Sequence, residues 1–166
     1  MRLAKNFSGV FVIVLAMLTT ACPQGTAIQK AAKAADTLPK LTDSVIVAVG
    51  GVYDAHVITL AQKDVFVRDC QKIIDGGRLF DSAIKAANAA NDNSASTLNT
   101  LNTLFSNGVV APFLSILENL KVLSPQNGAT VLTALNLVRA AILTISAIFT
   151  QAGYHTGAEV LYEHNA

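Results

Sequence analysis

Apolar residues recur along this chain at steps of three and four, the spacing that puts side chains on one face of a helix. From Leu41 to Ile74 that register runs through Leu41, Val45, Val49, Val52, His56, Leu60, Val67, Cys70 and Ile74. Gln62, Lys63, Asp64, Arg68, Asp69 and Lys72 fill much of the opposite face, with Asp64 and Arg68 spaced as an i,i+4 ion pair. A rival pattern lies within residues 44–58: Ser44 to Val49, then Gly50-Gly51, then Val52 onward reads as β-branched runs around a two-residue turn. Helix is the better reading, because the period continues for several turns past Val49 and no further strands are on offer; a lone hairpin is marginally stable in water.

Asp75-Gly76-Gly77 then reads as a helix stop. Leu79, Phe80, Ala83, Ile84 and Ala87 predict a short helix fading into Asn91-Asp92-Asn93-Ser94, and Leu98, Leu101, Leu104 and Phe105 predict another, capped by Asn107-Gly108. Pro112 suits the first turn of the next helix, whose apolar positions are Phe113, Leu114, Ile116, Leu117, Leu120 and Leu123. After a loop at Ser124–Gly128, a last long helix is expected from about Ala129 to Ala152, with Val131, Leu135, Val138, Ile142, Ile145 and Phe149 on one face and Thr133, Asn136, Thr144 and Gln151 opposite. Helices joined by short loops, with no convincing strands, define an all-α protein: a small bundle of about five helices.

The N-terminus has a different grammar. Arg2 and Lys5 precede a nine-residue apolar run, Val10 to Leu18, too short to span a bilayer as a helix, and small residues follow. That is the layout of a cleaved export signal, residues 1–21. The stretch Leu18-Thr19-Thr20-Ala21-Cys22 resembles the lipobox of bacterial lipoproteins, with Thr19 standing where that motif usually has Leu. The resemblance implies cleavage before Cys22, diacylglycerol on its sulfur and an acyl chain such as palmitate on its new amine. Pro23, rather than Asp, after Cys22 points by the same analogy to the outer membrane, with the body facing the periplasm. Two chains suffice for stable anchoring, at about 0.8 kcal/mol per buried methylene. The competing outcome is ordinary cleavage after the small residues, which leaves Cys22 free to form a disulfide with Cys70 in an oxidising compartment. Cys70 shares a helical face with Val67 and Ile74 and reads as a small core residue.

The expected division is a signal peptide at 1–21, an Ala-rich, partly helical lipid-anchored tether at 22–39 ended by Pro39, and a helical domain at 40–166. Removing Arg2 and Lys5 lowers Lys plus Arg from 12 to 10 against 11 Asp plus Glu, a balance of −1. That is too neutral for electrostatic docking on nucleic acid, so no nucleic-acid partner is expected. Between Ala86 and Ala158 the charged residues are only Asp92, Glu118, Lys121 and Arg139. The Ala129–Phe149 stretch tests whether this half enters lipid. Its ten Leu, Ile, Val and Phe residues contribute roughly −3 to −6 kcal/mol to insertion and Arg139 takes back about 2.5 to 3.5. With the polar residues counted the sum is near zero, which favours the core helix of a bundle.

Candidate chemistry is sparse. Ser82 and Lys85 match S-x-x-K, but neither K-T-G nor S-D-N accompanies them. His56, His155 and His164 have no metal-ligand spacing; His56 reads as a buried histidine, and His155 with Glu159 as part of a frayed, solvated end. No metal or cofactor is expected. The leading expectation is a lipid-anchored envelope protein whose bundle binds or scaffolds an envelope protein without catalysis. The alternatives are a membrane-active or apolar-ligand-binding protein using the charge-poor half, and an enzyme with a site near His56, Asp64 and Asp69.

Overall fold

The computed structural model describes residues 26–121, 123 and 125–163, all helix, turn and loop with no strand among them. The expected signal peptide at 1–21 and Cys22 lie outside these residues. In order the helices are α1 (Ala27–Ala35), α2 (Leu38–Asp54), α3 (Leu60–Ala89), α4 (Ala95–Leu120), α5 (Pro125–Gln151) and a single turn, α6 (Val160–Glu163). Asp36 and Thr37, between α1 and α2, both keep right-handed helical dihedrals, so the two helices form one rod kinked at Pro39. Pro39 has no N–H to offer the Ala35 carbonyl, which is the local cause of the kink. The result is four rods of similar length joined by short connections, an up-down-up-down bundle, not the five helices expected.

The differences from the sequence expectation lie mainly at helix boundaries, and each has an identifiable reason. The 22–39 tether is replaced from Thr26 onward by α1, a helix opened by a reciprocal cap between Thr26 and Gln29. Ile28, Ala31, Ala34 and Ala35 are buried against α3 and α5, so the folded body starts well before residue 40. The Val45–Val52 segment is helix, not hairpin. The Leu41–Ile74 register breaks at Ala55–Thr59, and the buried positions restart in a new phase at Phe66, Cys70 and Ile73. His56 is therefore not buried: it sits exposed in the turn with φ 56°, a left-handed conformation unusual for a side chain of its size. Asp64–Arg68 is not among the ion pairs of α3, which are Asp69–Lys72, Asp75–Arg78 and Asp81–Lys85.

Gly76-Gly77 is not a stop, because α3 runs straight through to Ala89. Gly76 is needed for a close crossing instead: a Cβ there would fall on the Gly108 carbonyl of α4, and one on Gly108 would sit 3.0 Å from the Gly76 Cα. Nor is Asn107-Gly108 a cap. Residues Ser106–Val110 form a π segment inside α4, with the Ala111 N–H donating to the Ser106 carbonyl. Pro112 lies four residues beyond Gly108 and cannot bond back to its carbonyl; a wide turn there absorbs the proline without ending the helix. Finally, α5 begins at Pro125, taking in most of the expected Ser124–Gly128 loop.

The core runs the length of the bundle. Val131, Leu135, Val138, Ile142, Ile145 and Phe149 of α5 are buried, as their common face predicts. Within the core Phe80, Phe105 and Phe149 join α3, α4 and α5, with ring centroids 5.1 Å apart for Phe80–Phe105 and 6.0 Å for Phe80–Phe149.

Candidate functional site

The bundle has two ends with different chemistry. At one, the Ala55–Thr59 turn joins α2 to α3. Thr59 and Gln62 form a capping box, Lys63 stacks over the Tyr53 ring at 4.4 Å, and Val57 and Leu60 are exposed. At the other, α3 ends at Ala89 and α4 starts after Ser94, whose hydroxyl caps the Thr97 N–H. Asp92 accepts from the Ser94 N–H at 2.9 Å and from the Thr97 hydroxyl. These bonds, the Thr97 hydroxyl first, hold its carboxyl below the ordinary range.

The segment after α5 packs on this second end rather than fraying. The Tyr154 hydroxyl donates to the Ala95 carbonyl at 3.0 Å, and Asn102 Nδ2 donates to the His155 carbonyl at 3.0 Å. The Ser146 and Thr156 hydroxyls meet at 2.6 Å in the interior, and Ala158 and Leu161 are buried. His155 is exposed, with Nδ1 3.6 Å from Glu159. Burial pushes the Glu159 carboxyl up, but the N–H groups of Glu159, Thr156 and Gly157 and the charge of His155 outweigh it and leave the group lowered. Beside this end an open groove of about 420 Å³ runs between α3 and α4, lined by Ala83, Ala86, Ala87 and Ala90 on one side and Thr97 and Thr100 on the other.

The titratable residues singled out from the sequence do not converge. His56 sits in the α2–α3 turn, whereas Asp69 lies more than two helical turns into α3, buried against α4. Asp69 accepts from Lys72 Nζ at 2.8 Å, from the Ser115 hydroxyl at 2.8 Å and from Asn119 Nδ2 at 3.4 Å. Burial raises its pKa, yet the bonds from Lys72 and Ser115 and the positive charges of Lys72 and Arg68 leave it lowered from the usual carboxylate value. The group is a latch between α3 and α4. Its α4 partners went unnoticed in the sequence, although Ser115 and Asn119, one turn apart beside the apolar Phe113 and Ile116, are the signal that marks them. Ser82 and Lys85 are both exposed, and Lys85 is held by Asp81 at 2.6 Å with Asp36 at 3.7 Å. Its bond to Asp81 keeps the ammonium protonated, the opposite of what a general base requires. Cys70 is a buried free thiol, pushed up to about 12 by burial first and by Asp69 and Asp43 after it.

Two helical stretches, Ala95–Leu120 and Val131–Gln151, are long and apolar enough to cross a membrane, with mean hydropathy 1.3 and 1.9. Within the bundle both turn their most apolar faces inward, and Arg139 of the second is buried. Comparison with protein-family models, with curated proteins and with solved structures finds no match to the chain.

Proposed function

We propose that this chain is a lipid-anchored protein of the bacterial cell envelope, held through Cys22 at the periplasmic side of the outer membrane. Its helical bundle acts by binding an envelope protein rather than by catalysis. The observation that carries the reading is the N-terminal pattern, Arg2 and Lys5, the apolar run Val10 to Leu18, then the lipobox-like Leu18-Thr19-Thr20-Ala21-Cys22, placed ahead of the helical body. A non-catalytic role is supported by the way the buried or bonded carboxylates are spent: Asp69 joins two helices, Asp92 a turn and Glu159 the C-terminal segment.

Intact-mass measurement on protein extracted from membranes tests the anchor. The expected result is a chain starting at Cys22 with acyl chains attached, globomycin-sensitive processing, and loss of both in Cys22→Ser. A mature form free in solution, with Cys22 and Cys70 bonded to each other, overturns it. A second reading rests on the length and low charge of α4 and α5: the bundle opens and enters lipid. Dye release from liposomes by the unlipidated body supports that reading, and absence of both release and partitioning removes it.

A further inference from the structure

Three residues, Pro23 to Gly25, separate Cys22 from the first described residue, Thr26. Even fully stretched, the four steps from Cys22 to Thr26 cover about 14 Å. Thr26 is no loose end, since its capping box starts a helix whose inner face is core. An anchor on Cys22 therefore grips a rigid body at one known point with almost no slack.

That point can be placed on the bundle. Gly77 of α3 lies beside Leu38 at the start of α2, and Lys85, two turns further along α3, reaches Asp36 at the end of α1. Moving back along the kinked α1–α2 rod thus moves toward the C-terminal end of α3. Nine residues of α1 add about 13 Å in that direction. Thr26 comes level with the α3–α4 turn, Ala90–Ser94, and with the C-terminal segment that Tyr154 ties to Ala95.

We propose that the bundle docks end-on against the lipid surface through this end, with the α2–α3 turn held away from the membrane. The inference rests on the proposed anchoring at Cys22. The α3–α4 turn is Ala90-Asn91-Asp92-Asn93-Ser94, with Asp92 its one charge, and in the adjoining segment the exposed His155 faces Glu159 at 3.6 Å. Lying on the α1–α2 side would press Lys33, Lys40, Asp43 and Asp54, all exposed, onto the bilayer. Lying on the α4–α5 side would raise the α1–α2 rod about 15 Å, a helix radius plus one interaxial distance, which exhausts the spacer.

The test uses the full lipidated protein in liposomes containing a nitroxide-headgroup lipid. A fluorophore is attached at Asn93→Cys or, separately, at Val57→Cys; Cys70 stays unlabelled because it is buried. The expected result is quenching about threefold or more stronger at position 93 than at 57, because the ~45 Å length of α3 separates the two ends. A flexible 12-residue insertion after Gly25 should abolish the difference. With acyl chains confirmed on Cys22 by mass, equal quenching at both positions, stronger quenching at 57, or none at either overturns the end-on arrangement alone. If Cys22 carries no lipid, the proposed anchoring falls and this inference falls with it.

Discussion

Two adjacent glycines in the middle of α3 should respond to alanine in opposite directions. In a helix interior each forfeits about 1 kcal/mol relative to alanine. A Cβ on Gly77 would lie 3.6 Å from the Leu38 Cβ, an ordinary contact that also buries a methyl group. Gly77→Ala should therefore stabilise the fold by about 1 kcal/mol, raising Tm by roughly 2–4 °C in a domain of this size. A Cβ on Gly76 would instead coincide with the Gly108 carbonyl, and the obstacle is backbone, so α3 and α4 must separate. Overpacking of this kind costs about 1–3 kcal/mol and occasionally more. The separation also loosens the Phe80–Phe105 contact, 5.1 Å between centroids and one turn from the crossing. Because the obstacle is backbone, the upper end of that range applies, and after the gain in helix propensity Gly76→Ala should lose about 2 kcal/mol, a fall in Tm of roughly 4–8 °C. Urea titrations and thermal melts followed by circular dichroism on the three proteins in one buffer measure both effects. If Gly76→Ala melts at or above the parent, the close crossing at Gly108 is wrong.

The remaining predictions follow from the same contacts. Asp69 has its pKa lowered in the fold, so its contribution is present above the unfolded carboxyl pKa of about 4 and is lost as pH falls through the folded value. Asp69→Asn should destabilise by about 1–3 kcal/mol at pH 7, with the gap from the parent closing in strong acid when unfolding free energy is measured against pH. Phe80→Ala removes a ring that touches Phe105 and Phe149 and should cost about 3–5 kcal/mol by denaturant titration. His56→Gly relieves a left-handed backbone position and should stabilise by about 1 kcal/mol; no change in Tm would refute strain at the turn. Ala34→Asp places a carboxylate in the core and should unfold α1 or the whole bundle, whereas a tether in that position would tolerate it.

The helical class was legible because the three-and-four period persists through most of the chain, and the α5 stripe from Val131 to Phe149 was legible residue by residue. What failed were the boundaries, and each failed in the same way. Gly76-Gly77 and Asn107-Gly108 carry the local signs of helix ends, but those signs record conformational permissiveness, which a helix crossing uses as readily as a cap does. The alanines of α1 looked too small to belong to a core. In a bundle, small residues let two rods approach closely, so Ala31, Ala34 and Ala35 can be almost fully buried with little apolar bulk of their own. The α3–α4 latch was half legible: Ser115 and Asn119 mark a polar spot beside an apolar face, but 46 residues separate Ser115 from Asp69 and nothing local couples them.

The boundary errors at Gly76, Gly108 and Pro112 have a single physical origin. Proline at 112 cannot donate to the Gly108 carbonyl, so α4 must end, kink or widen at that point. Widening into the π segment Ser106–Val110 keeps the rod continuous, and the Gly108 carbonyl lies against Gly76 of α3. A Cα–H···O contact of this kind contributes about 0.5–1 kcal/mol. Only a residue without Cβ admits the contact, so Gly76 answers to the course the widened α4 takes at Gly108. The neighbouring aromatic cluster depends on the same spacing, since Phe80 stands one turn beyond Gly76 and Phe105 borders the π segment. Pro112→Ala should therefore let α4 tighten toward an ordinary α-helix and draw the Gly108 carbonyl away from Gly76. A Gly76→Ala, Pro112→Ala double variant should recover part of the stability that Gly76→Ala loses. Strict additivity of the two changes would mean that the proline and the glycine are unconnected.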